Sequence, residues 1–315
     1  MTANPTDSME LPRFCGIPTF MRLPQATGTD GLDAAIFGIP SDSGAPYRTG
    51  ARFGPNAIRE MSVMLRPINP YRDMLNVFDH LRVADLGDTP VVPGYLEETF
   101  TAIERFASNI ADAEVLSCAF GGDHSVSLPH LRAVARARGT VALIHFDAHS
   151  DTWDTYFGER RDSAGTPFRR AAEENLVDPS KSIQIGLRGS LFSTTDISQS
   201  RALGFEVVDA DELLLSSVDA LADRIAARVG DAPVFLSFDM DVVDPAFAPG
   251  VQTPEVGGPS SFEILRLLRQ LKGINLVGCD VVETNPLYDG PGKITALLAA
   301  TVMAELLALA AHMRR

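Results

Sequence analysis

The sequence is short of basic residues. It contains 27 Lys and Arg against 41 Asp and Glu, for a formal net charge of −14. Such a balance argues against nucleic acid or an anionic membrane as a partner, because both attract basic surfaces. Cysteine is also scarce, and Cys118 and Cys279 each stand within an apolar, strand-like run. With Cys15 they make an odd number. The apolar contexts of Cys118 and Cys279 predict small core residues rather than disulfide partners, which fits a reducing compartment.

The sequence also lacks an apolar signal region at its start, where residues 1–10 are polar. We further expect no apolar run long enough to cross a bilayer, and therefore a cytoplasmic protein without a membrane partner. Residues 1–30 contain Pro, Gly and Thr but few periodic signals, which predicts an irregular N-terminal arm. The remainder, 31–315, is long enough for one large core and is expected to form a single domain.

Short apolar runs alternate with amphipathic segments through most of the chain. The predicted strands are 34–39, 83–86, 115–120, 141–146, 182–186, 204–208, 234–238 and 275–282. The predicted helices are 57–65, 97–111, 126–137, 168–174, 211–229, 262–271 and 294–313. This alternation is typical of an α/β fold, in which a central parallel sheet is covered by helices on both faces.

Acidic and imidazole side chains follow four of these predicted strands. After the strand 141–146, Asp147, His149 and Asp151 alternate along the chain and would share one face. His124, the pair Asp239 and Asp241, and Glu283 follow three other strands. Because the carboxyl ends of parallel strands lie at one edge of a sheet, we expect all of these side chains to converge there.

Six of these residues form a candidate metal-binding set of four carboxylates and two imidazoles: His124, Asp147, His149, Asp151, Asp239 and Asp241. Each motif alone is as easily an Asp-rich turn or a core histidine, but their joint occurrence at strand ends favours a metal site. The set carries too much negative charge for one ion, and its oxygen-rich character favours Mn²⁺-like metals. Two ions roughly 3.5–4 Å apart could share a water and lower its pKa to near 7.

Four ordered motifs, GGDHS at 121–125, FDAHSD at 146–151, SFDMDVVDP at 237–245 and ETNP at 283–286, together resemble the ureohydrolase (arginase/agmatinase) superfamily. The resemblance runs from about residue 32 to the C-terminus and includes GARFGP at 50–55. It implies a three-layer α/β/α arginase-like fold and a centre of two Mn²⁺ ions, with nickel in some relatives. It also implies cleavage of a C–N bond at a guanidino carbon, releasing urea and an amine, by a homo-oligomer, a trimer or a hexamer.

The resemblance also implies roles for individual residues. The six clustered residues would be metal ligands, and Asp151 would additionally orient the attacking hydroxide. Glu283 would hold the guanidinium of a small cationic substrate, which suits a carboxylate because it can pair bidentately with that planar cation. The alternative for Glu283 is a solvated acid in a turn before Asn-Pro.

The loop after the central motif, residues 152–158 with 165–170, resembles the branch containing guanidinobutyrase, guanidinopropionase and proclavaminate amidinohydrolase. Trp153, Tyr156 and Phe157 in this loop are predicted to contact the substrate, since a guanidinium can stack on aromatic rings. The alternative is that these rings only order the loop.

The sequence departs from the family pattern at Ala164, where most relatives carry a histidine thought to protonate the leaving amine. Leaving-group protonation contributes on the order of 10²–10⁴-fold. One alternative substrate is therefore free guanidine, an N-alkylguanidine or a biguanide such as metformin. A second alternative is a non-catalytic subunit of a hetero-oligomeric ureohydrolase. Arg188 is either a binder of a substrate carboxylate or a structural residue.

Overall fold

The computed structural model describes residues 4–314, and all eight predicted strands are present in it. They are β1 Ala34–Gly38, β2 Val83–Asp88, β3 Leu116–Phe120, β4 Ala142–Phe146, β5 Ile183–Leu187, β6 Glu206–Asp209, β7 Val234–Asp239 and β8 Leu276–Val282. The strands form one parallel sheet in the order β2-β1-β3-β8-β7-β4-β5-β6. Every residue of β1, β3, β4, β5 and β7 is buried, as expected for strands covered on both faces.

Helices cover both faces of the sheet, which confirms the predicted three-layer α/β/α fold. They are α1 Gly54–Ser62, α2 Leu96–Ala111, α3 Ser127–Arg138, α4 Pro167–Glu173, α5 Asp196–Leu203, α6 Ala210–Leu215, α7 Val218–Val229, α8 Ser261–Gln270 and α9 Ile294–His312. One apolar core joins the sheet to α1, α7, α8 and α9. A second core, on the other face, joins it to α2, α3 and α4.

Two helix predictions need correction. The single helix predicted for 211–229 is wrong, because the chain breaks into α6 and α7 at Ser216 and Ser217, both of which are extended. The Ser217 hydroxyl accepts a hydrogen bond from the backbone amide of Ala220 at 3.2 Å and so caps the start of α7. Helix α5 was not predicted, and it is short and mostly polar, with few of the apolar repeats that mark a helix.

Helix α9 corrects the expectation about membrane-crossing segments. Its 19 residues are long and apolar enough, by length and composition alone, to cross a bilayer, so the expectation that no run qualifies is wrong. However, 78% of the apolar window of this helix is buried inside the protein. It packs against α1, α8 and β8. The apolar character of α9 is therefore accounted for by its place in the core.

The predicted N-terminal arm contains one short 3-10 turn, Phe20–Arg22, and no α-helix or β-strand within residues 4–30. The backbone amide of Phe20 donates to the Asp85 carboxylate at 2.8 Å, and its ring lies in the core. Residues 1–3 of the predicted arm lie outside the described residues, and the division at residue 30 stays a prediction. Cys118 and Cys279 are buried partners on adjacent strands and are both free thiols, as predicted.

Candidate active site

The four strands that end in chemically active residues are neighbours in the sheet, in the order β3-β8-β7-β4. Their carboxyl ends carry His124, Glu283, Asp239 and Asp147 in that order. Short turns hold the side chains in place: Asp239 accepts a hydrogen bond from the backbone amide of Asp241 at 2.7 Å. The expected convergence at one edge of the sheet is therefore what the structure shows.

The first cluster surrounds the Nδ1 atom of His124. Carboxylate oxygens of Asp147, Asp151 and Asp239 lie 3.1, 2.9 and 3.1 Å from this nitrogen. The nitrogen is buried and has no hydrogen-bond partner among residues 4–314. Four potential ligand atoms thus face one another without satisfying each other, which is the arrangement expected around a cation.

The second cluster surrounds the Nδ1 atom of His149. It lies 3.1 Å from Asp241 Oδ2 and 3.3 Å from Asp147 Oδ1. Asp147 therefore belongs to both clusters, through Oδ2 in the first and through Oδ1 in the second. All six predicted ligands are brought together in two clusters that share the Asp147 carboxylate.

Burial and like-charge repulsion shift the pKa values of the clustered acids. Burial, with repulsion from Asp241 and Asp147, raises the pKa of Asp239 well above its usual range. Burial and the charge of Asp147 likewise raise the pKa of Asp151. In contrast, and although burial opposes ionisation, contact with His145 holds the pKa of Asp147 well below its usual value. Ionising all of these buried carboxylates together is costly, and cations among them would offset that cost.

Support for the clusters comes from residues that the sequence analysis did not single out. His145 Nε2 donates to Asp147 Oδ2 at 2.8 Å, while its Nδ1 accepts from Gln184 at 2.9 Å. His145 therefore has no free nitrogen to act as a ligand, and it positions Asp147 instead. His124 Nε2 contacts the Ser237 hydroxyl at 2.9 Å, and that hydroxyl donates to Asp280 at 2.6 Å. The signal for His145 was available, since it shares the strand face of Asp147.

Glu283 is buried on the floor of the site. Its Oε1 accepts from the backbone amide of His124 at 2.8 Å and from Gln252 Nε2 at 2.9 Å. Its Oε2 is buried and has no hydrogen-bond partner in the described part of the chain. One oxygen, rather than the two required for a bidentate pair, is thus left for a ligand. Glu283 and Asp151 both adopt positive φ values, 62° and 50°, a strain that clusters at functional sites.

A cavity of about 350 Å³ opens above these groups. Of the predicted site residues, His124, His149, Asp151, Asp239, Glu283, Trp153 and Tyr156 line it. Asp147 and Asp241 lie beneath, almost fully buried. The structure places Phe157 outside the lining: its side chain is 67% exposed, and its ring packs edge-on against Tyr156 with centroids 4.9 Å apart. The predicted contact of Phe157 with substrate therefore has no support in this geometry.

Ala164 lines the same cavity as the aromatic side chains of Trp153 and Tyr156. The next residue, Gly165, lets the indole of Trp153 approach the backbone, since a Cβ at this position would lie 2.5 Å from the ring. The Trp153 ring in turn contacts Tyr156, with centroids 5.3 Å apart. The methyl group of Ala164 thus faces the space in which a substrate would lie, with no proton to offer.

Arg188 is structural. Its guanidinium donates to backbone carbonyls of Gly186, Asp241, Val242 and Glu255 at 2.8–3.3 Å. Four of these five hydrogen bonds reach the loops that carry Asp241 and Glu255, and the fifth reaches Gly186 in β5. The alternative role as a carboxylate binder is therefore not supported by the geometry.

Gly122, at the exit of β3, lies so close to the backbone of Ser41 that no side chain fits there. A Cβ here would overlap the carbonyl oxygen of Ser41, which is backbone and cannot rotate away. We expect Gly122→Ala to lower the free energy of unfolding by about 1–3 kcal/mol, as overpacked positions do. Gly28→Ala is the matched control, because a Cβ there has no atom within 4 Å among the described residues. Equal unfolding midpoints for the two variants in urea would contradict this reading.

The chain is similar in sequence and structure to known proteins. A sequence model described as the arginase family matches residues 32–309. The chain is 46% identical to a guanidinopropionase of Pseudomonas aeruginosa over 98% of this chain and 96% of the relative. It is 44% identical to a guanidinobutyrase of the same organism over 96% and 95%. The solved structure of proclavaminate amidino hydrolase from Streptomyces clavuligerus superposes with a TM-score of 0.90 at 42% identity, covering 96% and 99% of the chains.

Proposed function

This chain belongs to the arginase family and is a hydrolase of carbon–nitrogen bonds in linear amidines, and we propose that it hydrolyses small guanidino acids to urea and an amine. The observation that carries the proposal is the free, buried Oε2 of Glu283 on the cavity floor, beside the clustered carboxylates. A guanidinium is planar, cationic and rich in N–H donors, so it satisfies this oxygen with a charge-assisted hydrogen bond.

We further propose that the two clusters would hold two divalent metal ions, Mn²⁺ or Ni²⁺, and that Asp147 would be a ligand in both clusters. The residues fit such ions, because six oxygen and nitrogen donors are gathered with an orphan nitrogen at the centre of one cluster. When bound, the pair of ions would supply a water of lowered pKa at neutral pH. Binding of two divalent cations would also neutralise the negative charges of the four clustered acids.

The chain's own residues perform the remaining tasks. Glu283 Oε2 orients the guanidino carbon over the clusters, and the Asp151 carboxylate, which lines the cavity, takes up a proton from the attacking water. Trp153 and Tyr156 form one wall and exclude bulk water from the reacting end of the substrate. The oxygen of the water bonds to the guanidino carbon, the carbon–nitrogen bond breaks, and the amine leaves with the proton that Asp151 took up.

Ala164 favours a second candidate substrate class. Because its methyl group cannot protonate a leaving amine, a compound that needs little such help would be hydrolysed more readily. Free guanidine, an N-alkylguanidine or a biguanide belongs to this class. The two classes differ at the end of the substrate remote from the guanidino group, where a guanidino acid carries a carboxylate. Whether the enzyme binds that carboxylate therefore distinguishes them.

The test is a product assay on the purified chain loaded separately with Mn²⁺ and Ni²⁺. The compounds are 3-guanidinopropionate, 4-guanidinobutyrate, agmatine, arginine, guanidine and metformin, with urea and released amine both measured. Release of urea from a guanidino acid is the expected result. Turnover of only guanidine or metformin would favour the second class. No turnover by the metal-loaded chain would contradict the proposal and favour a non-catalytic subunit of a mixed oligomer.

A further inference from the structure

The cavity wall contains one arginine or lysine within residues 4–314, and it is Arg48. Its guanidinium makes no ion pair with any carboxylate in the described chain. Every other charged side chain in the lining is an acid or a histidine. An arginine held at a cavity wall without an acidic partner is a ready site for an anion brought by a ligand.

Arg48 is held in position rather than left loose in solvent. Its Cζ atom lies 4.6 Å from the centroid of the Tyr288 ring and 5.5 Å from that of Tyr47. Its backbone is fixed by Asn285, whose side-chain amide donates to the carbonyls of Arg48 and Thr49 at 3.3 and 3.2 Å. Two aromatic contacts and this anchored backbone pre-position the guanidinium.

The same contacts place Arg48 near the guanidinium-binding acid. Gln252 donates from Nε2 to Glu283 Oε1 at 2.9 Å, and its Oε1 accepts from the backbone amide of Tyr47 at 3.5 Å. A single side-chain amide therefore connects Glu283 to the residue preceding Arg48. The ETNP motif at 283–286 contributes a second residue here. Asn285, two residues after Glu283, donates a hydrogen bond to the backbone carbonyl of Arg48.

We propose that Arg48 binds the carboxylate of a guanidino acid whose guanidinium is held by Glu283, and so selects guanidino acids over guanidines with a neutral or cationic tail. The planar fork of arginine matches a carboxylate with two parallel hydrogen bonds, whereas it repels the ammonium of agmatine. Arg188 cannot take this role, because backbone carbonyls occupy its donors. The inference rests on the proposed function for the guanidino end of the substrate.

The experiment compares 4-guanidinobutyrate with its neutral amide, 4-guanidinobutyramide, which differs only in the charge of the tail. Wild type, Arg48→Met and Arg48→Lys are loaded with metal, and KM is measured for each compound that is hydrolysed. Calorimetric Kd replaces KM for a compound that is not. Wild type is expected to prefer the acid by about 10- to 200-fold, the worth of a hydrogen bond to a charged group. Arg48→Met is expected to abolish this preference, and Arg48→Lys to retain part of it.

Arg266→Met is the matched control, because Arg266 also lies over an aromatic ring, Phe262 at 5.5 Å, but is exposed and away from the cavity. This control should keep the wild-type preference. A preference that survives in Arg48→Met, or equal affinity of wild type for acid and amide, would overturn the proposal. Absence of turnover with an Arg48-dependent preference in Kd would instead refute the proposed hydrolysis and uphold the carboxylate site, so the two failures are distinguishable.

Discussion

Replacing Ala164 with histidine is expected to raise kcat for a guanidino acid by about 10²–10⁴-fold, the usual contribution of a positioned general acid. Ala164 lines the substrate cavity, so an imidazole at this position would reach the region where the amine departs. A histidine donates its proton only while it is protonated. The rate profile of the variant should therefore gain a limb that falls as pH rises through about 6.5.

Ala164→Phe is the control for this variant, since it adds an aromatic ring of comparable shape without a titratable nitrogen. It is expected to give no gain in kcat and no new limb in the pH profile. A similar gain in both variants would mean that filling the cavity, and not proton transfer, limits the wild-type enzyme. No gain with histidine on any guanidino acid would show that the missing proton donor is not what limits turnover.

Glu283→Gln is expected to lower kcat/KM for every guanidino substrate by about 30- to 5000-fold, the cost of removing one partner of a buried charge pair. The substitution keeps the shape of the side chain but removes the negative charge of the free Oε2. The metal content and the thermal midpoint of the variant should match wild type, because Glu283 belongs neither to the cluster around His124 nor to the cluster around His149.

Glu98→Gln makes the same chemical change on the exposed first turn of α2 and serves as its control. This variant should retain wild-type kcat/KM. If Glu283→Gln changed kcat/KM by less than threefold while keeping its metal, the guanidinium would have to bind elsewhere, and the assignment of Glu283 would be wrong.

The strands and the clustered residues at their ends could be predicted because local physical rules determine both. Parallel strands deliver the residues that follow them to one edge. The extended alternation predicted for 147–151 is wrong, because β4 ends at Phe146, the chain bends at Ala148 and His149, and Asp151 has a left-handed backbone. The order of the strands could not be predicted in this way, since buried parallel strands are all short apolar runs. That β3, β8, β7 and β4 are neighbours is a property of the folded chain alone.

Residues that reach the site from distant loops were missed for a related reason. Gln252 contacts Glu283, and Asn285 holds the backbone of Arg48, across separations of 31 and 237 residues. No periodic pattern links positions so far apart. The break between α6 and α7 was missed because the apolar spacing of 211–229 continues through Ser216 and Ser217, where local capping interrupts the helix.

The most direct test of the account is the metal content of the purified chain. Protein freed of metal with a chelator is reconstituted with excess Mn²⁺ or Ni²⁺ and desalted, and metal per chain is counted by inductively coupled plasma mass spectrometry. The two clusters that share Asp147 predict two ions per chain, with urea release from a guanidino acid regained in step with the second ion. A limit of one ion per chain, or full turnover in the metal-free protein, would contradict the account.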